Sequence, residues 1–416
     1  MIKKIIISAC LFLSLVAYSQ EGTSSPYSFY GIGETKFSGT LENRSMAGLS
    51  IAQDSTHINL QNPASYANLR WTAFTLGVGS SYTKQKTTTN SGIAKKTTLD
   101  YLALGIPMKK FGTAFGLIPY SSVGYRIQNN STDDTQNNKR FNGWGGLNRV
   151  FLGFGYKITP NWNVGVNAYY SFGKIQTNSL EFIPLVPIGS RELNVAILSG
   201  VNYNIGMMYK TKINTKLSFF SSLYYTPSST LKSENTRNIE TVSFDSNFNL
   251  QVVDTLGVQT SKTDLKLPQK WSFGAGVGDS KKWLLGAEIS LQDVGKLANN
   301  YNTIDNVTYE KYKKYSVGGF YTPNSNPYSS YIKRITYRAG FKYEKTGLII
   351  NSQSINDVGM TFGAGLPVTS SLSNVNVGLE FGKKGTIEAN LVQENYFVLN
   401  FSFSLNDKWF VKRKFN

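Results

Sequence analysis

Cysteine and histidine are almost absent from this chain, and their scarcity excludes several kinds of site. The 416 residues include one cysteine, Cys10, and one histidine, His57. Cys10 lies in an N-terminal stretch that we expect to be removed, which would leave no disulfide or thiolate chemistry. One histidine is too few for a structural zinc site, and no carboxylate cluster is typical of a calcium site. The sequence therefore predicts no metal and no cofactor.

Catalytic constellations are also missing. A Ser-His-Asp triad would need His57 beside a serine and an acid, and Asp54 and Ser55 are its sequence neighbours. Residues so close together in an irregular segment are not typical of a triad, so we interpret His57 as a polar structural residue. Glycine pairs such as Gly274 and Gly276 lack the following lysine and helix of a phosphate-binding loop. We expect no catalytic residue, no cofactor-binding residue and no enzyme activity.

Long apolar runs are confined to the N-terminus. Residues 1–19 combine two early lysines with an apolar run, which is typical of a secretory signal peptide, so we expect the mature chain to start at Gln20. An alternative is a lipoprotein processing box, which residues 7–10 resemble. No later run reaches about 18 apolar residues, and the mean hydropathy is −0.24, so no transmembrane helix is expected.

The net charge of +18 is spread along the chain rather than gathered into one stripe. Basic proteins often bind nucleic acids or anionic surfaces. Here the lysine pairs, such as Lys95-Lys96 and Lys383-Lys384, fall at the ends of expected strands, where headgroup contacts or turns would place them. We therefore expect outer-membrane lipid, and not nucleic acid, to be a partner.

Alternation of apolar and polar residues is the main positive signal. From Trp162 to Phe172 the even positions are all apolar or aromatic, whereas the odd ones are mostly small or polar. Such alternation gives a strand one apolar and one polar face. It recurs in about 14 to 16 segments between residues 71 and 405, and aromatic residues concentrate near the segment ends. The pattern predicts an all-β fold, a transmembrane antiparallel β-barrel of about 14 strands.

The alternation also predicts which way side chains face. In one strand, the residues expected to face lipid are Trp162, Val164, Val166, Ala168 and Tyr170. Asn163 and Asn167 should face the lumen. Four charged residues on the polar faces of later strands should also point inward, because a lipid-facing charge is costly: Glu288, Arg338, Lys342 and Glu380.

Turn lengths suggest an orientation. Tight turns are expected near residues 109–110, 159–161, 214 and 279–280, and short turns of such barrels face the periplasm. Long polar loops face outward. We expect extracellular loops at 84–97, 128–145, 176–192, 294–309 and 322–332.

The last expected strand ends in an aromatic, amphipathic pattern. Its alternate apolar residues are Phe397, Leu399, Phe401, Phe403 and Leu405. Outer-membrane barrels commonly end in such a strand, which the barrel-assembly machinery reads while closing the barrel. The charged tail at 406–416 resembles tails of barrel proteins from the Bacteroidota.

The region before the first strand, residues 20–70, lacks alternation and carries three motifs. These are residues 25–33 (SPYSFYGIG), 43–49 (NRSMAGL) and 58–66 (INLQNPASY). Together they resemble the start of FadL-type outer-membrane proteins. The resemblance implies a 14-stranded barrel with an N-terminal luminal plug and an Asn-Pro-Ala hallmark. In the present sequence, Asn59, Asn62, Pro63 and Ala64 are the plug-motif residues.

The plug motif also has a physical rationale. Pro63 fixes its own backbone, and the two asparagines can satisfy backbone groups of an irregular segment inside a lumen. We expect a structural role for these residues, and direct ligand contact is the alternative. We expect the segment to enter the lumen from the periplasmic side.

Two functions follow from the resemblance. FadL-type proteins pass hydrophobic molecules, so the first expectation is passive uptake of hydrophobic or amphipathic small molecules across the outer membrane. The family also includes PorV-like proteins of the type IX secretion system. The alternative is therefore a non-enzymatic subunit of a protein secretion or barrel-assembly complex, with other outer-membrane or periplasmic proteins as partners.

Overall fold

The computed structural model describes residues 22–409, except 132, 134, 185, 246–248, 280–281, 294–305, 325 and 369–372. The expected signal peptide at 1–19 and residues 410–416 of the expected tail lie outside this part. Within the described residues, no helix combines the length and apolar character needed to cross a membrane.

The described chain consists mainly of strands. In chain order they are β1 (Glu34–Thr35), β2 (Thr72–Lys86), β3 (Ser91–Met108), β4 (Phe111–Asn129), β5 (Asn138–Lys157), β6 (Trp162–Phe182), β7 (Ile188–Lys212), β8 (Ser218–Thr226), β9 (Ser229–Phe244), β10 (Leu250–Leu267), β11 (Lys270–Asp279), β12 (Trp283–Asp293), β13 (Val307–Tyr309), β14 (Lys311–Tyr321), β15 (Thr336–Ile350), β16 (Gln353–Pro367), β17 (Asn374–Lys384) and β18 (Gln393–Asp407). The α-helices are α1 (Leu41–Arg44) and α2 (Tyr331–Arg334), and single 3-10 turns cover Pro26–Phe29, Pro63–Asn68 and Glu388–Asn390.

Strands β2 to β18 form one antiparallel sheet that closes into a barrel, because β18 pairs with β2 along its whole length. Three of the wall strands are interrupted, so that β8 and β9, β10 and β11, and β13 and β14 each continue one another. The barrel therefore has fourteen wall strands, which confirms the predicted fold class.

Two of the interruptions have a common cause. Pro227 separates β8 from β9, and Pro268 separates β10 from β11 at the same level of the neighbouring strand. Proline has no backbone N–H to donate to a ladder, so the pairing stops on both strands there. Above the break the strands continue as a long extension of the wall, which we call the β9–β10 crest (Ser229–Phe244 and Leu250–Leu267).

The predicted facing of β6 is confirmed. Trp162 and Tyr170 are 40% and 52% exposed on the outer surface, whereas Asn163 and Asn167 are 2% and 0% exposed on the inner surface. Outward aromatic pairs lie near the strand ends, such as the ring stack of Tyr225 on Trp271, with 4.0 Å between their centroids. Aromatic girdles of this kind favour membrane interfaces.

The predicted loops are partly wrong. We call the end where β2 begins and β18 ends the terminal end, and the other the distal end. Much of 84–97, 128–145 and 176–192 is strand, because alternation continues through their polar residues and lengthens the wall at the distal end.

The loop at 322–332 is predicted at the same end of the barrel as these three segments. It lies instead at the terminal end, because it follows Tyr321, which pairs with the first residue of β12. Residues 294–305 lie outside the described residues.

The N-terminal segment, residues 22–70, contacts strands around the whole ring and therefore runs through the lumen. The 3-10 turn at Pro63–Asn68 packs on β3 to β7, and α1 packs on β16 to β18. Ile51 packs between these regions, against inward positions of β11 and β12. Near its start, Ser25 donates a hydrogen bond to Glu394, in the distal part of β18. The chain therefore descends from the distal half of the lumen to the terminal half before β2 begins.

Candidate functional site

The terminal half of the lumen holds the predicted plug motif, and all four of its residues are buried. The Asn62 carbonyl oxygen Oδ1 accepts from Ala64 N at 3.0 Å and so caps the 3-10 turn. Its Nδ2 donates to the backbone oxygens of Met207 and Leu223, both at 3.2 Å, on two different wall strands. Asn59 Nδ2 donates to Ser50 O at 2.7 Å. None of the four residues lines the cavity described next.

A cavity of about 440 Å³ lies above this motif, in the distal half of the lumen. Its walls are the inward faces of the strands, and residues 22–38 of the N-terminal segment line it from within. Seven basic and seven acidic side chains are among the lining residues, beside uncharged polar and aromatic ones. A purely hydrophobic tunnel is therefore not what the described residues form.

One side of the cavity carries paired charges. Lys342 Nζ lies 2.7 Å from Glu380 Oε1 and 3.2 Å from Asp357 Oδ2. Arg44 on α1 lies 2.9 Å from Asp100 and 3.9 Å from Glu380. Arg44 thus ties the N-terminal segment to β3 and β17 by charge, and Lys342 links the wall strands β15, β16 and β17 to one another.

The N-terminal strand β1 contributes a further ion pair. Glu34 lies 2.8 Å from Lys384 Nζ and 3.9 Å from Lys36 Nζ. Burial acts to raise the pKa of Glu34, but the two ammonium groups outweigh burial and hold this pKa far below its ordinary value. Glu34 is therefore charged, and it anchors β1 to β17.

The other side of the cavity carries three cations without a carboxylate within 4.0 Å among the described residues: Arg149, Lys270 and Lys314. The Arg149 guanidinium lies 3.3 Å from the Tyr120 ring centroid and donates to Ser171 Oγ at 3.1 Å. Lys270 on β11 and Lys314 on β14 flank β12, where they pair with Gln292 and Ser290. Because Gln292 and Ser290 line the cavity, the two lysines lie on the inner face of the wall as well. These three cations are available to an anionic group in the cavity.

The four predicted inward charges all point into the lumen. Glu288, Arg338 and Glu380 are buried, and Lys342 is bound to Glu380 and Asp357. Glu288 accepts from Ser50 N and Oγ, both at 2.7 Å. Sequence reasoning missed Arg149, Lys270 and Lys314, although the same alternation would have identified them as inward.

The wall beside the cavity contains a gap, and the N-terminal segment pairs with one edge of it. Strands β3 and β4 pair only up to Leu102 and Leu117 and then separate. In the gap, Glu34 and Thr35 of β1 pair with Ser122 and Ser121 of β4. A piece of the N-terminal segment thus covers the free edge of β4 at this point.

The single histidine lies near the terminal end. His57 Nδ1 is 2.5 Å from Asp54 Oδ2, and Nε2 is 3.7 Å from Glu42 and 3.3 Å from Asn374 Nδ2. Burial acts to lower the pKa of His57, but the two carboxylates outweigh it, so the pKa lies above its ordinary value. Among the described residues, Ser55 makes no hydrogen bond to the imidazole, and the hydroxyl beside it is that of Thr56, whose Oγ1 lies 3.2 Å from His57 Nδ1.

The C-terminal residues predicted for assembly lie on β18, the strand that closes the barrel against β2. Phe401, Phe403 and Leu405 are exposed on the outer surface, where lipid would lie. Ser402 and Ser404 between them are buried in the lumen. The recognition of this strand by an assembly machine stays a prediction.

Comparison with solved structures shows the same fold. The toluene transporter TbuX of Ralstonia pickettii superimposes with a TM-score of 0.58 at 13% identity, covering 89% of this chain and 99% of that one. The toluene transporter TodX of Pseudomonas putida gives 0.58 at 14% identity, with 90% and 98% covered. A FadL homologue of Pseudomonas aeruginosa gives 0.55 at 12% identity, with 90% and 98% covered.

No curated protein matches this chain by sequence. The FadL-type fold expected from the N-terminal motifs is confirmed by the structural matches. A family model described as BamG matches residues 1–416. Because this match spans the entire chain, the protein belongs to the BamG family.

Proposed function

We propose that the protein is a passive outer-membrane channel for amphipathic small molecules that carry an anionic group. The observation that carries this proposal is the side of the cavity with Arg149, Lys270 and Lys314, which have no carboxylate within 4.0 Å among the described residues. A volume of about 440 Å³ falls in the range of small-molecule sites. Of the two ligand classes that the sequence left open, the charged lining favours the amphipathic one over the hydrophobic one.

The terminal end then faces the periplasm, as short turns in bacterial barrels do. The N-terminal segment serves as a plug, with Asn59, Asn62, Pro63 and Ala64 as structural residues. On its way to the gap between β3 and β4, a molecule in the cavity meets β1, which pairs with the β4 edge of that gap. Release sideways through the wall requires β1 to leave Ser121 and Ser122.

Ligand binding tests the charge requirement. Dodecanoate and dodecanol share one alkyl chain and differ in charge, so their affinities for the purified protein isolate the anionic group. We expect dodecanoate to bind about tenfold more tightly, and Lys270→Gln to remove most of that preference, because a charged hydrogen bond contributes about 1.5–3 kcal/mol. Lys262→Gln, on the outer surface, is the control. Equal binding of the two probes to the native protein would contradict the proposal.

A reversible crosslink tests the route. Thr35 and Ser121 are directly opposite one another, and opposed residues of an antiparallel pair lie within disulfide reach. In vesicles, the Thr35→Cys, Ser121→Cys variant should lose dodecanoate uptake when oxidised and regain it when reduced, while each single variant transports throughout. Full transport by the oxidised variant would exclude this route.

A second candidate function is a non-enzymatic subunit of an outer-membrane assembly or secretion complex, and the β9–β10 crest favours it. The β10 strand is exposed on both faces from Leu250 to Lys262, including Leu256 at 67% exposure. Exposed apolar strands of this length are typical of interaction surfaces. A photo-crosslinking residue at Leu256 in native cells should capture a defined outer-membrane protein, whereas one at outward-facing Thr97 should not. No adduct at Leu256 would contradict the subunit role.

A further inference from the structure

The outer surface of β14 and β15 carries an unusual row of side chains at its distal end. Lys313 and Lys345 are directly opposite one another across the two strands. Their flanking partners in the same row are Leu291 on β12 and Asn356 on β16, so the row has no carboxylate.

Alternation shows that both lysines face away from the lumen. Their sequence neighbours Tyr312, Lys314, Glu344 and Thr346 line the cavity, so the residues between them point outward. Neither lysine has a carboxylate within 4.0 Å among the described residues. Like charges directly opposite one another destabilise a strand pair unless an anion lies between them.

The row directly below the lysines is aromatic and apolar. Tyr315 and Tyr343 pair beneath them and stack with 6.5 Å between ring centroids. Val317 and Phe341 follow one row further down, exposed on the outer surface. From the distal end downward, this face thus presents two cations, a tyrosine pair and an apolar surface.

That order matches a membrane lipid placed along the wall. Phosphate lies at the headgroup, the polar linkage lies at the interface where tyrosine is favoured, and the acyl chains lie below. We propose that Lys313 and Lys345 form a binding site for the phosphate group of a lipid in the leaflet at the distal end. The two ammonium groups bind the phosphate, and the apolar face holds the acyl chains.

The β9–β10 crest contains a lysine that serves as a comparison for Lys313 and Lys345. Lys262 is also an outward-facing lysine at the distal end, but its Nζ lies 2.9 Å from Glu234 Oε1. A lysine that is already neutralised by a carboxylate offers little to a phosphate. Lys262→Gln is therefore the control for Lys313→Gln and Lys345→Gln.

Lipid binding to the purified full chain in detergent tests the proposal. Phosphatidylglycerol is titrated, and bound lipid is counted by native mass spectrometry. Each basic residue near a membrane surface contributes about fivefold in affinity, so the double variant Lys313→Gln, Lys345→Gln should bind about 25-fold more weakly. Lys262→Gln should bind as the native protein does, and Lys313→Arg, Lys345→Arg should retain most of the affinity.

Three outcomes would overturn the proposal: an unchanged affinity in the double variant, an equal loss in Lys262→Gln, or full displacement of the lipid by excess inorganic phosphate. The last would show that the site takes free phosphate rather than a lipid. Heat-modified gel migration verifies that each variant is folded. If the double variant fails to fold, the single variants must each show the fivefold loss. These readouts do not depend on transport or on the cavity.

Discussion

The two halves of the lumen hold the N-terminal segment in different ways. In the terminal half, backbone packs on backbone. A Cβ added to Gly112 would lie 1.9 Å from Tyr66 O, and one added to Gly165 would lie 2.4 Å from the Pro63 carbonyl carbon. In the distal half, ion pairs such as that of Glu34 with Lys384 hold the segment, and a cavity of about 440 Å³ remains beside them.

This difference indicates that the two parts of the N-terminal segment have different roles. Close packing against glycine leaves no room for a passing molecule, so the terminal half fixes the segment in place. Charged contacts beside a cavity are exchangeable, because an entering ion or water can replace one partner. The part of the segment that would have to move for transport, β1, is thus also the part held by hydrogen bonds and charge rather than by tight packing.

The largest loss of stability is expected in the terminal half, where close packing against glycine holds the N-terminal segment. Gly112→Ala would force the new methyl group into Tyr66 O, and neither backbone can yield without disturbing the 3-10 turn. We expect a loss of about 3 kcal/mol in the free energy of unfolding, measured by urea denaturation in detergent. Gly92→Ala is the control, because a Cβ there meets nothing within 4 Å. Equal stability of the two variants would show that the terminal half is not close-packed.

A smaller effect is expected in the distal half, where charged side chains of the wall pair beside the contact of Arg44 with Glu380. Lys342→Met removes the cation between Glu380 and Asp357 and leaves two carboxylates facing each other. Losing one partner of a buried pair is strongly destabilising, but Arg44 remains 3.9 Å from Glu380 and the cavity adjoins the site, so we expect about 2 kcal/mol.

The matched control for this prediction is Lys314→Met. Lys314 also lines the cavity but has no carboxylate within 4.0 Å among the described residues, so its removal should change stability little. Both variants are compared by the same urea denaturation. A larger loss for Lys314→Met than for Lys342→Met would show that ion pairing does not hold the distal half.

Alternation was sufficient to predict the barrel and the facing of its residues, because the side-chain period of a strand is two. It identified Asn167 and Glu380 as inward before any contact was known. It could not predict the wall gap, because the point at which β3 and β4 stop pairing depends on the other strands and on where the N-terminal segment lies. It also misplaced the 322–332 loop, because a polar loop has the same composition at either end of a barrel.

The cavity was beyond prediction for a related reason. Alternation identified Lys342 as inward and could have identified Arg149, but it does not show that Lys342 has carboxylate partners, whereas Arg149 has none within 4.0 Å among the described residues. That difference depends on which strands become neighbours in the closed barrel and where the N-terminal segment crosses between them. The motif residues Asn59 and Asn62 were recognisable in the sequence, whereas their partners Ser50, Met207 and Leu223 were not.

The smallest effect concerns the charged group of the terminal half, His57. Its pKa is raised in the folded protein, so its protonated form adds stability that is fully present below the unfolded pKa of about 6.5. That contribution is lost as the pH rises through the folded pKa. His57→Gln should therefore destabilise the protein by about 0.5 kcal/mol in mildly acidic buffer, and by less in alkaline buffer.

The measurement is the urea midpoint of native protein and variant across this pH range. Asp54→Asn serves as the control, because Asp54 is the carboxylate in direct contact with the imidazole and its loss should weaken the same pH dependence. A pH-independent effect of His57→Gln would mean that the residue acts only through its shape. In that case close packing alone would hold the N-terminal segment in the terminal half, whereas ion pairs contribute in the distal half.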